Sequence, residues 1–471
     1  MTMLNRYIQV LLILLIVFTP LALGSVELWA FSLMELGILL IIVLWAIQKL
    51  ITPNSCTERF KTVPYRTPNS KLPTILILIF LLLILFQMLP LPSGIVKILS
   101  PKTYELRQSL SFLDPKFFTH NSKFSISFVP FVTQIEFLKW LTLAAFFLFL
   151  LNGRLSNQSL LKLIPVIMVV GISESLYGMF EFFSGHRHIL YLEASSLISS
   201  VTGTFINRNA FAGYLLMVIP LNLGYLFARE GHRIGRSMSW RHSLSSLDGK
   251  TLIIAFGIVL MILALLFSAS RMGILSLLLS FTLISLLFIS PQKGQRFSKT
   301  AVFIFALALL WAAWIGLDAV ISRFFTSSED FKGRWMMWMN TLQIIKDYPL
   351  FGSGLGTFTQ VFPMVRSFHI RGLVTHAEND FLQLASEVGI VGMGLLLILF
   401  IFLFCKTISG IRSLSHWESQ RYIGMGGMVG ILALMFHSLV ERNIQVPANA
   451  FLYTFMWAIV LRISRIKKGD L

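Results

Sequence analysis

The sequence predicts an all-α, polytopic integral membrane protein, on three observations. Over half of the residues (56%) are hydrophobic and 13% are charged, a balance outside the range of soluble domains. Runs of the roughly 18–20 apolar residues needed to cross a bilayer recur along the chain. Basic residues gather in the breaks after alternate runs, as they do in loops that face the cytoplasm.

About twelve spans fit this pattern, near 7–23, 29–48, 73–92, 134–151, 160–183, 207–227, 251–269, 272–289, 299–317, 386–405, 422–440 and 447–463. The apolar segment from Tyr7 to Leu23 lacks a small-residue cleavage site, so it reads as a retained first span. Lys49, Arg59, Lys61, Arg66 and Lys71 follow span two; Arg229, Arg233, Arg236, Arg241 and Lys250 follow span six. Lys293, Arg296 and Lys299 follow span eight, Lys406, Arg412 and Arg421 follow span ten, and Arg462, Arg465, Lys467 and Lys468 form the tail. With twelve spans these clusters share one side, the cytoplasmic one, together with both termini. The net charge of +18 then has two sources to weigh, topology and an anionic ligand. Nucleic-acid binding is not expected, because the cations sit in short loops. Cys56 and Cys405 both fall near predicted cytoplasmic ends, so neither a disulfide nor a cysteine metal site is expected.

The whole chain, 1–471, is expected to be one membrane domain, divided into N-terminal spans over 1–200 and a second region over 200–450. Three longer segments remain on the outer side. Segment 93–133 mixes apolar and basic residues (Ile95, Val96, Lys97, Ile98, Leu99, Lys102) and suits an interfacial helix. Segment 184–206 leads into Asn207-Arg208-Asn209. Segment 318–385, the longest, precedes the third-last span and carries Arg323, Lys332, Arg334, Lys346, Arg366 and Arg371. Long loops cross regardless of charge, and cations outside also suit an anionic ligand. Its Pro349-Leu-Phe-Gly-Ser-Gly-Leu-Gly-Thr-Phe358 stretch is a glycine-rich turn whose amides could approach a phosphate. Plain turn chemistry is the simpler alternative.

The stretch Thr375–Gly392 carries the densest candidate chemistry. Read as a helix, it places His376, Asn379, Asp380, Gln383 and Glu387 on one face and Phe381, Leu384, Ala385 and Val388 on the other. A polar stripe entering a span is costly to bury, so it is expected to line a wet cavity. The bland alternative is a polar face that meets water where the helix leaves the membrane. A histidine beside Glu378 and Asp380 suits acid–base work. Arg271 lies in the tight turn after Ser268-Ala-Ser270, and Arg208 starts span six at a similar depth. A guanidinium fork fits a diphosphate, whereas an arginine at such a boundary otherwise snorkels to headgroups. Arg334, in Lys332-Gly-Arg-Trp-Met-Met-Trp338, suits either a sugar face or an amphipathic surface helix. Glu174 and Glu181 share a face of span five and suit a proton path or a pairing with a buried arginine. His437 and Glu441 are one turn apart and suit a helix-end pair. A metal on His369, His376, Glu378 and Asp380 is the competing assignment, but no ligand motif supports it, and none is expected. Walker, dinucleotide and nucleophile-elbow motifs are absent from the sequence.

Gly203-Thr-Phe-Ile-Asn-Arg-Asn-Ala-Phe-Ala-Gly213, Ser268-Ala-Ser-Arg-Met-Gly273, Gly333-Arg-Trp335, Pro349–Phe358, His376 through Gly389 and His437–Asn449 occur in this order. Together they resemble the O-antigen ligase and polymerase superfamily over about 200–450, with its long periplasmic loop before the third-last span. The resemblance implies a metal-independent, inverting glycosyltransferase with no cofactor. Its donor would be a glycan on undecaprenyl diphosphate, at the periplasmic face of the bacterial inner membrane. By the same resemblance Arg208 and Arg271, with Arg334 less closely matched, would hold the diphosphate. His376 would activate the acceptor hydroxyl, supported by Glu378, Asn379, Asp380, Gln383 and Glu387. The acceptor would be lipid A core, another lipid-linked glycan or a protein. Ligase and polymerase are favoured over a protein O-oligosaccharyltransferase. A secondary transporter or lipid flippase is the rival class, for which Glu174 and Glu181 are the best support.

Overall fold

The structure is a computed structural model that describes residues 3–51, 71–110, 123–186, 188–193, 200–230, 248–287, 328–369, 372–415 and 419–466. The ninth predicted span, Cys56 and many of the basic loop residues, among them Arg59, Arg233, Arg296, Arg323 and Arg371, lie outside them. The regular structure of the described residues is helical apart from two short two-stranded antiparallel pairings, and eight helices are long and apolar enough to cross a membrane. It is an all-α, multi-pass membrane protein.

In order, the helices are α1 (Met3–Leu21), α2 (Leu28–Ile51), α3 (Lys71–Met88), α4 (Ser93–Leu99), α5 (Pro101–Leu110), α6 (Pro130–Asn152), α7 (Asn157–Leu161) and α8 (Ile164–Ser184). Then come α9 (Arg208–Glu230), α10 (Gly249–Phe267), α11 (Arg271–Leu287), α12 (Ser328–Asp347), α13 (Phe358–Val365), α14 (Asp380–Ser413), α15 (Ser419–His437) and α16 (Pro447–Ile463). Every predicted span that falls on described residues has a helix over it. In segment 93–133 the single interfacial helix is replaced by the short α4 and α5, with Leu91-Pro92 pairing Lys123-Phe124 alongside. Ile95 and Ile98 on α4 remain exposed, as an interfacial segment requires.

Helix α9 is the hub. It is buried almost throughout and packs against α15, α10, α8 and α16. Gly426 and Gly430 on α15 let that helix rest directly on the α9 backbone at Pro220 and Met217. Small residues at the contact are the usual way helices associate where lipid removes the hydrophobic drive. One end of the bundle is closed by the buried Arg462. Its guanidinium donates to Asn157 Oδ1 at 2.8 Å, Leu150 O at 2.9 Å and Leu155 O at 2.6 Å, so each of its three nitrogens has an acceptor.

The other end gathers the segments that carry the candidate residues. Thr204 Oγ1 donates to Pro20 O at the end of α1, and Val201 N to Phe267 O at the end of α10. Asp380 N at the start of α14 donates to Ser438 O, and Asn449 Nδ2 on α16 to Ala210 O on α9.

Helix α14 is broken at Gly389, whose φ of 65° and ψ of −173° lie in a region open essentially to glycine alone. In an unbroken helix Ile390 and Val391 would donate to Ser386 and Glu387. Here Ser386 O and Glu387 O accept from Ser353 N and Gly354 N at 2.9 and 3.0 Å. In return Ile390 N and Val391 N donate to Pro349 O and Leu350 O, at 2.9 and 3.2 Å. Two helical hydrogen bonds are exchanged for four with the glycine-rich turn, so the two carbonyls and two amides freed by the break are all paired. A side chain at 389 would meet the Leu350 carbonyl. Gly389→Ala is therefore expected to destabilise the protein by about 1–3 kcal/mol from backbone strain alone. Gly394→Ala, in the same helix with open space around it, is expected to be tolerated. Thermal unfolding in detergent compares them, and equal stability of the two variants would contradict the strained break.

Candidate functional site

The polar stripe does not form as a single helical face. Helix α14 starts at Asp380 because Asn379, in an extended conformation, caps it by accepting from Leu382 N at 3.0 Å. Glu378 has a positive φ of 49°, so His376 and Glu378 lie in the loop before the helix. Asp380, Gln383 and Glu387 remain on the helix and are buried.

These three side chains build the walls of the site. Asp380 Oδ2 accepts from Asn443 N at 2.8 Å and Ile444 N at 2.7 Å, fixing the turn after α15. Gln383 Oε1 accepts from Ala377 N at 3.1 Å, which holds the residue next to His376. Gln383 Nε2 donates to Glu387 Oε1 and to Gln445 Oε1, each at 3.1 Å. Glu387 Oε2 accepts from Gly356 N at 2.9 Å.

Below the glycine-rich turn, Gln87 at the end of α3 is fully buried. Its Nε2 donates to Phe351 O at 2.6 Å and Glu387 O at 2.9 Å, and its Oε1 accepts from Leu355 N at 3.1 Å. Phe128 N donates to Ser353 O, and Thr133 Oγ1 to Leu355 O, from the start of α6. The amides of Gly352, Ser353, Gly354, Leu355, Gly356 and Thr357 all donate to protein acceptors. The turn is thus a structural clamp, and its amides are not turned toward a phosphate.

His376, Asp380, Gln383 and Glu387 line a cavity of about 280 Å³ together with Glu136 and Gln360. Trp140, Phe381, Leu384, Ile444 and Gln445 form part of this wall and also part of a second, mainly apolar cavity of about 570 Å³ that runs between α3, α6, α14 and α16. Glu136 is ion-paired with Lys139, one helical turn along α6. Burial, then the Arg442 and Lys139 charges, push the His376 pKa down to about 3, so the imidazole is neutral at physiological pH. Arg442 faces Asp380, Glu378 and Glu136.

The three candidate arginines do not line the 280 Å³ cavity. Arg208 and Arg271 are half-buried first residues of α9 and α11. Arg334, on α12, pairs with Glu441 Oε1 at 2.5 Å and donates to Val440 O at 3.0 Å. Glu441 is also bonded by Asn209, the neighbour of Arg208. His437 does not pair with Glu441, as its spacing suggested. It meets Ser270 Oγ and Asn443 Nδ2, each at 3.2 Å, because the helix ends at His437 and the chain turns before Glu441. Residues next to Arg208 and Arg271, and Arg334 itself, thus converge on the 437–443 turn, which Asp380 ties to the His376 side.

Among the described residues, neither Glu174 nor Glu181 is ion-paired with an arginine. Glu174 Oε2 accepts from Thr204 N at 2.8 Å, and Glu181 Oε2 from His188 N at 3.4 Å. Among the described residues, no group of three or more His, Cys, Asp or Glu is placed to hold a metal ion. Lys139 and Arg442, the cations nearest in effect to His376, do not stand out as site residues in the sequence. The one signal for Lys139 is an i,i+3 acid–base pair inside an apolar span.

The site is that of a multi-pass membrane protein with a polar, histidine-bearing cavity joined to an apolar one at one end of its helix bundle. Residues 256–397 match the family model described as O-antigen ligase, which supports the O-antigen ligase/polymerase superfamily that the motifs resemble. The matched segment holds Arg271, Arg334, the glycine-rich turn, His376 and the Gly389 break. Glycan transfer of ligase or polymerase type, by a glycosyltransferase-like enzyme acting on lipid-linked glycans in polysaccharide biosynthesis, is what that family implies. No curated protein matches the chain.

Gln87→Leu is expected to take the Gln87 partner from Leu355 N and Phe351 O, at about 1–3 kcal/mol for each buried group lost, while Glu387 O keeps Gly354 N. Thermal unfolding measures this, and a wild-type midpoint would show that the clamp does not depend on Gln87.

Proposed function

We propose that this protein transfers a glycan from undecaprenyl diphosphate to an acceptor hydroxyl at the periplasmic face of the bacterial inner membrane, as a ligase or polymerase of surface polysaccharide. The observation that carries this is the shared wall between the polar cavity bearing His376 and the apolar cavity. A polyprenyl chain needs lipid-facing apolar surface, and its head group needs a polar site next to it. Both cavities lie against α14, the helix that starts just after His376.

In this mechanism the neutral His376 accepts the proton of the acceptor hydroxyl as its oxygen attacks the anomeric carbon. The bond from that carbon to the diphosphate oxygen breaks, and the lipid diphosphate leaves with the electron pair. Single displacement inverts the anomeric centre. Arg208 and Arg271 hold the diphosphate and offset its charge, which is the role guanidinium forks fill without a metal. Arg334 acts through its pairing with Glu441 to fix the 437–443 turn. Glu378, Asn379, Asp380, Gln383 and Glu387 shape and hold the His376 loop. The basic loop clusters support an orientation with both termini in the cytoplasm.

The test uses purified protein, a lipid-diphosphate-linked glycan and three acceptors: lipid A core, a second lipid-linked glycan and a protein. His376→Ala is expected to lower transfer by ~10²–10⁴-fold with unchanged protein level, and wild-type transfer is expected to survive a chelator. Undiminished transfer by the variant would overturn the histidine's role, and the acceptor that reacts names the subclass. Because His376 gains its proton only near pH 3, the base form persists as pH falls from 7 to 5. The pH profile of kcat/KM is therefore expected to lack an acid limb at the ordinary histidine value of about 6.5. A limb there that is lost in His376→Gln would contradict the buried, neutral imidazole.

A further inference from the structure

Glu174 sits in the middle of α8, fully buried, with no role in the transfer step above. Among the described residues its carboxyl group is hydrogen-bonded with Thr204. Thr204 N donates to Oε2 at 2.8 Å, and Thr204 Oγ1 lies 2.7 Å from Oε1. Thr204 Oγ1 is also 2.8 Å from Pro20 O. A threonine hydroxyl has a single proton. The Pro20 carbonyl can only accept, so that proton belongs to it. The short contact to Glu174 is then closed by a proton on the carboxyl oxygen, with Glu174 donating to Thr204 Oγ1. A neutral acid also avoids an uncompensated charge at a site with no basic side chain among its hydrogen-bond partners.

The fit around this contact is close on every side. Gly203 has a φ of +57°, and a side chain there would strike Glu174 Oε2 and the Phe211 ring. Gly178, one turn after Glu174 on α8, lets the helix touch the Gly203 backbone. From this anchored point the chain runs both ways into the candidate arginines. Four residues on, it enters α9 at Arg208, through the turn in which Asn207 Oδ1 accepts from Asn209 N at 2.7 Å. Three residues back, Val201 N donates to Phe267 O, the last residue of α10 before the Ser268–Ser270 turn and Arg271.

We propose that Glu174 is a positioning residue, held as a neutral carboxylic acid, that fixes the Val201–Asn207 loop and through it the relative placement of Arg208 and Arg271. This rests on the assignment of those arginines to the lipid diphosphate. Glutamine reproduces every hydrogen bond of the neutral acid: its oxygen accepts from Thr204 N, and its amide donates to Thr204 Oγ1. Alanine reproduces none.

Wild type, Glu174→Gln, Glu174→Ala and Thr204→Val are compared in nanodiscs. Binding of undecaprenyl diphosphate, the KM for glycan donor and for acceptor, and the infrared carbonyl band of protonated carboxyl groups are measured. Glu174→Ala is expected to weaken lipid-diphosphate binding and raise the donor KM by ~10-fold or more, with the acceptor KM unchanged. Glu174→Gln is expected to stay close to wild type in both while losing one protonated-carboxyl band. Wild-type donor affinity in Glu174→Ala would overturn the positioning role. Glutamine failing as badly as alanine, or losing no such band, would overturn the neutral acid. If Glu174→Ala does not fold, Thr204→Val takes its place: it is expected to weaken donor binding, and unchanged binding refutes the proposal. Wild-type protein that binds no lipid diphosphate would instead refute the donor assignment, a result distinct from wild-type binding that Glu174→Ala leaves intact.

Discussion

The site depends on the exchange of backbone hydrogen bonds at Gly389. An unbroken α14 would run past the glycine-rich turn with its donors and acceptors turned inward. Breaking it frees Ser386 O and Glu387 O, and the turn over 349–354 supplies the replacement donors and acceptors. In a membrane no water is at hand to solvate the freed groups, so the break and the turn require each other. The join fixes the turn against the helix, and Glu387, on the last helical turn before the break, reaches Gly356 N. The polar cavity forms in the angle between them.

Around that join the polar side chains are mostly structural. Asp380, Gln383, Glu387 and Gln87 are buried, and each is bonded to backbone amides or carbonyls of a neighbouring segment. This leaves the cavity few groups with free chemistry, and His376 is the one whose nitrogen suits proton transfer. Its neutrality is set by burial and by Arg442 and Lys139. The same cations lie beside carboxylates, Lys139 in an ion pair with Glu136 and Arg442 facing Asp380, Glu378 and Glu136. The cations that act on the histidine therefore stand in the field of neighbouring carboxylates.

The arginines belong to a second layer. Arg334 is tied to Glu441, and the neighbours of Arg208 and Arg271 are tied to Glu441 and His437. One turn, 437–443, therefore couples the starts of α9 and α11, the middle of α12 and, through Asp380, the start of α14. Helices far apart in sequence are brought to one end of the bundle by side-chain to backbone bonds of this kind.

Much of this was legible in the sequence. Hydropathy runs are long-lived signals, because each span must satisfy its own backbone within the bilayer, and the helices fall where the apolar runs predict. The importance of the 375–392 stretch was legible too, since polar residues entering a span demand a local reason. The start of α14 was misplaced by the assumption of one continuous helix, although Asn379 is itself a capping residue. Pairings across the bundle were not legible: that Glu174 would meet Thr204, that Arg334 would meet Glu441 and His437 would not, that Lys139 and Arg442 would set the state of His376. The sequence by itself determined which segments are helices and which residues carry chemistry, since both follow from local composition. Only the tertiary structure decided which of those residues meet, because the partners are separated by tens to hundreds of positions and their contacts depend on how the helices pack.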